Sequence, residues 1–409
     1  MTNGNRAATL DAEDGLARFR ELFVRDAEVT AYLDGNSLGR PLTASVTRVS
    51  DFMTNSWGSR LIRGWDESSG GRPADDGGWL DLGQRIGDDL GRVALGAAAG
   101  QTTIGDSTTV LLYKLVRAAV DARSGRSELV IDRDNFPTDR YVLEGVAAER
   151  GLTLRWIESG DFTPEALAAV LSPATALVVL SHVTYRSGYL FDAEAVTRQV
   201  HDAGALVLWD LCHSAGVVPA ELDAWGVDLA VGCTYKYLNG GPGSPAFAYV
   251  RAEHQGRMRQ PIQGWLGSAA PFEMGQGYQP ADGVRGFLSG TPPVIGMLAM
   301  QDTIALLDEV GIAAVRAKSV ALTEYAIALV DELLPEAVLA SPRDPARRGS
   351  HITIDHDRFE AIMPGLWESG VIPDFRRPNG IRLGLSPLST SFDEVRIGVE
   401  AIAAAAAAG

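Results

Sequence analysis

A chain of 409 residues with 46% hydrophobic and 22% charged side chains is typical of a globular protein with a large core and more than one domain. Its 52 acidic and 36 basic residues give a net charge of −16 without any basic stripe, which argues against nucleic acid and anionic membranes as partners. Only two cysteines occur, the first sixteen residues are polar, and no apolar run approaches the ~18 residues that cross a bilayer. We therefore expect a cytoplasmic protein with neither signal peptide nor membrane span.

The N-terminal part of the chain predicts helices separated by irregular segments. Residues 8–28 carry apolar side chains at helical spacing and predict an amphipathic helix. Residues 32–41 are rich in Asp, Gly, Asn and Pro and predict a compact turn, after which a helix should run through Trp57. Residues 67–78 predict a loop because Gly, Asp and Ser dominate them.

From about residue 79, helical and strand patterns alternate. Strands are predicted at 129–132, 153–157, 175–181, 205–210, 229–234 and 246–250. Helices are predicted between several of them, at 108–122, 138–150, 163–171 and 192–203. This alternation is the βαβ pattern of a doubly wound, mostly parallel sheet. Residues 261–293 predict loops over the sheet, and a helix at about 294–310 leads into a second α/β unit ending near residue 400.

Two charged residues follow apolar runs in the middle of this pattern. Asp210 follows 205–209, and Lys236 follows 229–235. Such short apolar runs predict strands buried on both faces, and open α/β sheets bind ligands at the carboxyl ends of their strands. Pyridoxal 5'-phosphate requires a lysine for its Schiff base and a carboxylate for its pyridinium nitrogen. A surface lysine is the simpler interpretation, but the residues around Lys236 lack the polar spacing of an exposed face.

Further side chains are candidates for the same site. His213 follows the aspartate by three positions and either orients the cofactor or is a structural histidine. Thr108 and Thr109 begin a predicted helix, where hydroxyls and backbone N–H groups bind phosphate, although the same letters also form ordinary helix caps. Phe136 either stacks on the pyridine ring or belongs to the core. Arg382 lies within an apolar alternation and is the best candidate to bind a substrate carboxylate through its planar guanidinium.

Together these residues resemble kynureninase, a fold-type I, aminotransferase class V-like pyridoxal-phosphate enzyme. The resemblance extends from Tyr32 to Phe392 and rests on the segments 33–39, 136–139, 185–188, 209–216, 233–243, 287–293 and 377–382. The combination of Trp-Asp-Leu-x-His-Ser-x-Gly with Tyr-Lys-Tyr-Leu-Asn-Gly-Gly-Pro-Gly is highly specific. The implied fold is α/β, with a mostly parallel seven-stranded sheet in a large domain of residues 51–295. A smaller α/β domain would combine residues 1–50 and 296–409.

The resemblance also implies roles for individual residues. Lys236 would bind the cofactor covalently, Asp210 would pair with its ring nitrogen, and Tyr235 would donate a proton in later steps. The implied cofactor contacts of this subunit are Thr108, Thr109, Phe136, Asp139, Ser181, Asp210, His213, Tyr235 and Lys236. Trp265 and Thr291 would contact the cofactor of the neighbouring subunit. The implied substrate contacts are Arg382, Ser37 and Trp65, of which Trp65 would suit kynurenine over its 3-hydroxy form. No metal is expected.

The implied reaction is hydrolysis of the Cβ–Cγ bond of L-kynurenine to anthranilate and L-alanine. It belongs to tryptophan catabolism and NAD biosynthesis, and the implied enzyme is a homodimer with active sites at the subunit interface.

Two departures from the family pattern leave the identity of the substrate open. Leu266 and Ser268 stand where the family often has Trp and His, and Ser389 stands where it often has Tyr. A hydrolase of 3-hydroxy- or otherwise substituted kynurenine in a biosynthetic pathway therefore remains an alternative.

Two other classes are weaker alternatives. Cysteine desulfurase-like lyases share the fold and cofactor, but they usually need a catalytic cysteine on a mobile loop. Cys212 and Cys233 are instead predicted at strand ends. A cofactor-sensing regulator would carry a DNA-binding module, and the residues before Tyr32 are too few and too acidic to form one.

Overall fold

The computed structural model of the chain describes residues 2–66, 78–158, 160 and 162–408. The helices are α1 (Asn3–Glu13), α2 (Thr43–Asp51), α3 (Gly58–Arg60), α4 (Leu82–Leu90), α5 (Thr108–Ala122), α6 (Pro137–Arg150), α7 (Pro164–Val170), α8 (Ala193–Asp202), α9 (Ala252–Gln255), α10 (Val294–Val310), α11 (Ile312–Leu333), α12 (Phe359–Glu368) and α13 (Phe392–Ala408). The strands are β1 (Ala31–Tyr32), β2 (Thr102–Ile104), β3 (Glu128–Asp132), β4 (Thr153–Ile157), β5 (Thr175–Ser181), β6 (Leu206–Asp210), β7 (Leu229–Gly232), β8 (Phe247–Val250), β9 (Val338–Leu339), β10 (His351–Asp355), β11 (Val371–Ile372), β12 (Asp374–Arg376) and β13 (Gly380–Gly384).

A seven-stranded sheet in the order β2-β8-β7-β6-β5-β3-β4 forms the centre of the molecule. Strands β7, β6, β5, β3 and β4 are parallel, whereas β8 runs antiparallel to β7, and β2 runs antiparallel to β8. Every residue of β5, β6, β7 and β8 is buried, which explains their unbroken apolar runs. The register pairs Ser181 with Asp210, so the carboxyl ends of β5 and β6 lie side by side. The predicted α/β fold with a mostly parallel seven-stranded sheet is confirmed.

All six predicted strands are present, each with bounds within two residues of the prediction. The seventh strand, β2, was not predicted because three residues, Thr102–Ile104, are too few to show a periodic pattern. The predicted helices 108–122 and 294–310 match α5 and α10. The second α/β unit is also present, and it ends with the long helix α13.

The predicted helix over residues 8–28 is wrong. Helix α1 already ends at Glu13, and a single short 3₁₀ helix, Ala17–Leu22, follows it. The Oδ1 of Asp14 accepts a hydrogen bond from the N–H of Leu16, a local side-chain bond that replaces the helical pattern. The predicted helix through Trp57 is present as α2 continued by a π-helical turn. The predicted loop 67–78 lies outside the described residues, apart from Gly78.

The second unit is built around smaller sheets. Strands β12, β13, β10 and β9 form an antiparallel sheet, and β1 pairs with β11 in parallel. Its core combines N-terminal residues such as Ala31 and Leu33 with C-terminal residues such as Ile352 and Val399. Helix α10 instead contributes Met297 to the core beneath the large sheet. The domain boundaries at residues 50 and 295 stay a prediction. Within the described part of the chain, no helix combines the length and apolar character needed to span a membrane.

Candidate active site

The carboxyl ends of β5 and β6 form the base of a pocket. Asp210, the last residue of β6, is buried, and its Oδ1 accepts a hydrogen bond from the N–H of Cys212 at 2.8 Å. The hydroxyl of Ser181 lies 3.4 Å from the Oδ2 of Asp210 and 3.0 Å from the Oδ1 of Asn135. The carboxylate is therefore held in one orientation at the base of the pocket. The pocket is lined by Thr108, Thr109, Phe136, Thr138, Asp139, Asp210, Cys212, His213, Tyr235 and Lys236.

The pocket contains one of only three lysines in the sequence. The Nζ of Lys236 lies 3.0 Å from the Nε2 of His213. Lys114 instead pairs with Asp106 at 2.6 Å, and Lys318 pairs with Asp14 at 2.7 Å. Lys236 is therefore the lysine whose amine faces the buried carboxylate cluster.

Burial and charge perturb the groups around this lysine. Burial, and then repulsion by the carboxylate of Asp210, raise the pKa of Asp139 well above its ordinary value. The Oδ2 of Asp139 is also buried and has no hydrogen-bond partner in the part of the chain that the structure describes. Burial, and then the positive charges of Lys236 and Arg382, hold the pKa of His213 well below its ordinary value. His213 is therefore neutral at pH 7, and its Nε2 accepts a hydrogen bond from the Lys236 amine.

The amino-terminal end of α5 closes another side of the pocket. Thr108 and Thr109 are the first residues of this helix, and Ser107 caps it by accepting a hydrogen bond from the N–H of Val110. The first N–H groups of a helix lack intrahelical partners and attract anions. Asp106, just before the cap, has a left-handed φ of 48° and binds the buried Lys114 amine. The turn is thus held in a shape that exposes phosphate-binding groups.

Arg382 lies on β13 of the second unit, and it is almost completely buried. One terminal nitrogen of its guanidinium donates to the hydroxyl of Ser37 at 2.7 Å and lies 2.7 Å from a carboxylate oxygen of Asp374. The other donates to the carbonyl of Tyr185 at 2.5 Å. The predicted neighbours Arg382 and Ser37 are therefore in direct contact.

A second arginine and a second acid complete this cluster. Arg376 shares Asp374 with Arg382 and binds it at 2.7 Å. Asp34 lies 3.9 Å from Arg382. Burial, and then the negative charge of Asp374, raise the pKa of Asp34 to about 6, although Ser37 and both arginines oppose this rise. Because the pKa of one of the two acids is raised, the two arginines keep more positive charge for an anionic ligand than they would beside two ordinary carboxylates.

Three predicted site residues lie away from this pocket. Trp65 packs edge-on against Trp265, with ring centroids 6.0 Å apart, and both contact a small apolar cluster that includes Leu266. The indole N–H of Trp265 donates to the hydroxyl of the exposed Thr291 at 3.3 Å. None of the three lines the pocket around Lys236 in the same chain. Trp65 was expected there, whereas Trp265 and Thr291 were expected to serve a neighbouring subunit.

Comparison with known proteins identifies the family. The family model of the kynureninase C-terminal domain matches residues 315–402. The chain is 40% identical to kynureninase from Pseudomonas fluorescens over 97% of its length and 93% of that protein. It is also 40% identical to kynureninase from Burkholderia pseudomallei (strain 1106a), over 98% of its length and 95% of that protein. The chain belongs to the kynureninase family.

The fold of this kynureninase-family chain is shared with enzymes of other names. An apo cysteine desulfurase from Thermococcus onnurineus NA1 superposes with a TM-score of 0.80 at 17% identity, over 95% of this chain and 97% of that one. The cysteine desulfurase CsdA from Escherichia coli gives a TM-score of 0.79 at 18% identity, over 96% and 99%. A mutant of C-DES, described with glycine covalently linked to its PLP cofactor, gives 0.78 at 17% identity, over 94% and 98%. At these identities the likeness establishes the fold alone.

The departures from the usual kynureninase pattern lie outside the pocket around Lys236. Leu266 is buried and packs against Leu80 and Leu288, so an aliphatic side chain suits its position. Ser268 follows in the same segment and caps a turn by accepting a hydrogen bond from the N–H of Ala270. Ser389 is buried beside Leu388 in a separate small cavity. These substitutions therefore leave the described groups around Lys236 unchanged.

The structure adds residues that the sequence patterns did not single out. Asn135 binds Ser181 at the base of the pocket, Thr138 and Cys212 line it, and Arg376 joins the arginine cluster. His351, at the start of β10, lies with its ring centroid 5.3 Å from that of His213. Asn135, Thr138, Cys212 and Arg376 lie in or beside segments already singled out, whereas no sequence pattern pointed to His351.

Proposed function

We propose that this kynureninase-family chain binds pyridoxal 5'-phosphate at Lys236 and hydrolyses L-kynurenine to anthranilate and L-alanine. The observation that carries the proposal is the pairing of one lysine with one buried aspartate. Lys236 and Asp210 line the same pocket, beyond the carboxyl ends of adjacent strands. The 40% identity to kynureninases over nearly the whole chain supports the reaction.

The groups in the pocket fit the cofactor. The buried carboxyl groups of Asp210 and Asp139 repel each other, Lys236 partly offsets this repulsion, and one oxygen of Asp139 has no hydrogen-bond partner among the described residues. A protonated pyridine ring supplies the missing positive charge. The start of α5, with Thr108 and Thr109, fits the phosphate, and the partly exposed ring of Phe136 fits stacking on the pyridine.

When bound, pyridoxal phosphate supplies an electron-withdrawing ring that stabilises negative charge at the substrate's α-carbon. Asp210 keeps the ring nitrogen protonated, since a fixed negative charge favours the cationic form. The amine of Lys236 removes and returns the proton of the α-carbon, and His213 accepts its hydrogen bond. Burial, and then the neighbouring Cys233, raise the pKa of Tyr235 above its ordinary value, so its hydroxyl keeps a proton to donate.

The arginine cluster binds the substrate carboxylate in this proposal. Arg382 is already fixed by Ser37, Asp374 and the carbonyl of Tyr185, so little side-chain entropy is lost when a ligand binds. Arg376 adds the second positive charge that Asp374 alone does not neutralise. The carboxylate would then lie between this cluster and Lys236, which places the amino group of the substrate at the cofactor.

We also propose a homodimer in which Trp65, Trp265 and Thr291 reach the partner's active site. Their separation from the pocket of their own chain supports this arrangement. Nearby Phe272 and Met274 are 51% and 78% exposed, and such apolar exposure is typical of an interface. A cytoplasmic location and a place in tryptophan catabolism or NAD biosynthesis are part of the same proposal.

The activity of the cysteine desulfurases with this fold finds no support in the chain. Cys212 and Cys233 are both buried, and the backbone N–H of Cys233 lies 3.2 Å from the Sγ of Cys212. The hydrogen bond with Cys233, and then burial and the nearby carboxylate of Asp210, raise the pKa of Cys212 well above its ordinary value. A thiol that must attack and carry sulfur needs an accessible thiolate, which this environment disfavours.

The test is an assay of the purified holoenzyme with L-kynurenine and, separately, with L-3-hydroxykynurenine. Anthranilate is followed by fluorescence and L-alanine by an independent method, and the two should form in equal amounts. Lys236→Ala should abolish both, whereas Lys318→Ala serves as a control at a lysine outside the pocket. Full turnover by Lys236→Ala, or no anthranilate from the wild-type holoenzyme, would contradict the proposal. Faster turnover of the 3-hydroxy substrate would correct the substrate alone.

A further inference from the structure

The base of the pocket contains one hydroxyl between two acceptor oxygens. The Oγ of Ser181 lies 3.0 Å from the Oδ1 of Asn135 and 3.4 Å from the Oδ2 of Asp210, and all three side chains are buried. A serine hydroxyl carries a single proton, so it can donate fully to only one of these oxygens. The choice between them decides which oxygen of Asp210 is left for a ligand.

The side-chain amide of Asn135 is held in one orientation. Its Nδ2 donates to the Oδ2 of Asp132 at 2.9 Å, and its Oδ1 accepts a hydrogen bond from the N–H of Phe136 at 2.7 Å. Turning the amide over would place its nitrogen against an N–H group and its oxygen against a carboxylate, so both contacts would become repulsive. The oxygen of this amide therefore faces Ser181.

The hydroxyl proton of Ser181 must lie toward Asn135. Two oxygens 3.0 Å apart need a proton between them, and an amide oxygen carries none, so the hydroxyl has to supply it. The contact of 3.4 Å with Asp210 is longer than an ordinary O–H···O hydrogen bond and does not need that proton. Asn135 therefore takes the proton that Asp210 would otherwise receive.

This arrangement leaves one oxygen of Asp210 open to the pocket. Its Oδ1 accepts from the N–H of Cys212 at 2.8 Å, whereas its Oδ2 has no backbone donor among the described residues. An oxygen that no hydroxyl occupies can accept a charge-assisted hydrogen bond from a pyridinium N–H, which is stronger than a neutral one. The carboxyl group of Asp139 also interacts with Asp210, and every variant described below retains it.

We propose that Asn135 is a positioning residue that draws the Ser181 proton away from Asp210 and keeps the Oδ2 of this carboxylate open to the ring nitrogen of pyridoxal phosphate. Asn135 acts through Ser181 in this arrangement. None of the contacts involved includes Lys236, so they are the same whether its amine is free or bound to the cofactor. The inference rests on the proposed function only in taking Asp210 as the partner of the ring nitrogen.

The proposal differs from a purely structural role of Asn135 in its dependence on Ser181. Without the Asn135 amide, the hydroxyl of Ser181 would turn to Asp210 and compete with the ring nitrogen for the same oxygen. A structural role in the turn between β3 and α6 would instead be lost whether or not residue 181 carries a hydroxyl. A double-mutant cycle separates the two explanations.

The first test measures cofactor affinity by equilibrium dialysis in the wild type, Asn135→Ala, Ser181→Ala and the double variant. Asn135→Ala should lower the affinity about tenfold when Ser181 is present, and less than about twofold in the Ser181→Ala background. Asn5→Ala, at an exposed asparagine of α1, is the matched control and should bind the cofactor as the wild type does. Equal losses in both backgrounds, or no loss in either, would overturn the proposal.

The second test reads the ring nitrogen directly in the holoenzyme. With ¹⁵N-labelled pyridoxal phosphate, the wild type should give the resonance of a protonated ring nitrogen. Asn135→Ala should shift this resonance toward that of neutral pyridine, and the double variant should restore it. An unshifted resonance in Asn135→Ala would overturn the proposal.

The two tests also distinguish this inference from the proposed function. Neither test uses kynurenine, so a wrong substrate assignment leaves both results unaffected. A wild-type chain that binds no pyridoxal phosphate would contradict the proposed function and this inference together. Failure of the inference alone would appear as a wild type that binds the cofactor and an Asn135→Ala effect that does not depend on Ser181.

Discussion

The acidic residue next to the arginine cluster offers a quantitative test of the site's electrostatics. Burial and Asp374 raise the pKa of Asp34 from 3.8 to about 6. An acid whose pKa is higher in the folded than in the unfolded state binds its proton more tightly when the protein is folded. Protonation of Asp34 therefore stabilises the fold. This stabilisation is complete below pH 3.8 and is lost as the pH rises through 6. Two pKa units at about 1.4 kcal/mol each make this loss about 3 kcal/mol, an upper limit because a fifth of the side chain is exposed.

Asp34→Asn cannot ionise and should therefore escape the loss. We expect the variant and the wild-type holoenzyme to unfold with similar free energies near pH 4, and the variant to be more stable by up to about 3 kcal/mol above pH 7. Urea unfolding at several pH values measures the difference, and the exposed Asp357→Asn is the matched control. A stability difference that does not change with pH would refute the reasoning.

The same substitution should alter substrate binding. The ionised carboxylate of Asp34 lies 3.9 Å from Arg382 and competes with a substrate carboxylate for its charge. We expect Asp34→Asn to lower the KM for L-kynurenine relative to wild type above pH 6 and to match it below pH 5. A KM ratio that is constant over this range would show that Asp34 does not influence the bound carboxylate.

Three further substitutions test other parts of the structure. Arg382→Lys loses the planar guanidinium, so the KM for L-kynurenine should rise roughly 30-fold, equivalent to about 2 kcal/mol for one charge-assisted hydrogen bond. An unchanged KM would exclude Arg382 as the residue that binds the substrate carboxylate. Lys114→Met removes the amine that binds Asp106 and the carbonyl of Phe287, so the affinity for the cofactor, measured by equilibrium dialysis, should fall about tenfold. An unchanged affinity would show that the turn before α5 holds its shape without Lys114. Burial would raise the pKa of Asp228, but hydrogen bonds from two histidines and a backbone N–H outweigh it and lower the pKa to about 2. Asp228→Asn should therefore cost about 2 kcal/mol of stability at pH 7 and progressively less as the pH falls from 3.8 toward 2, and an equal cost at both ends would contradict this explanation.

The sequence predicted the centre of the fold well because burial on both faces leaves strong patterns. Unbroken apolar runs marked β5, β6 and β7, and the alternation with helices marked the parallel sheet. The N-terminal helix was extended too far because apolar spacing alone does not register the side-chain hydrogen bond of Asp14. The short strand β2 left no periodic signal at all.

The site was predictable where chemistry requires a particular side chain. A lysine and an aspartate after two strands pointed to their shared pocket, and an arginine in an apolar alternation pointed to a buried guanidinium. Residues that only packing brings together were harder to predict. His351 lies 138 positions from His213 in sequence, and only the packing of β10 against the pocket brings the rings together. Trp65 was placed by resemblance, and its contact with Trp265 depends on tertiary packing.

The covalent attachment of the cofactor at one defined lysine is the central claim, and the chain makes it easy to test. The sequence has only three lysines, and two of them are buried in ion pairs with Asp106 and Asp14. Borohydride reduction of the holoenzyme, followed by proteolysis and mass spectrometry, should find one pyridoxyl group per chain, on the peptide that contains Lys236. A modified Lys114 or Lys318, or no modified peptide at all, would contradict the account.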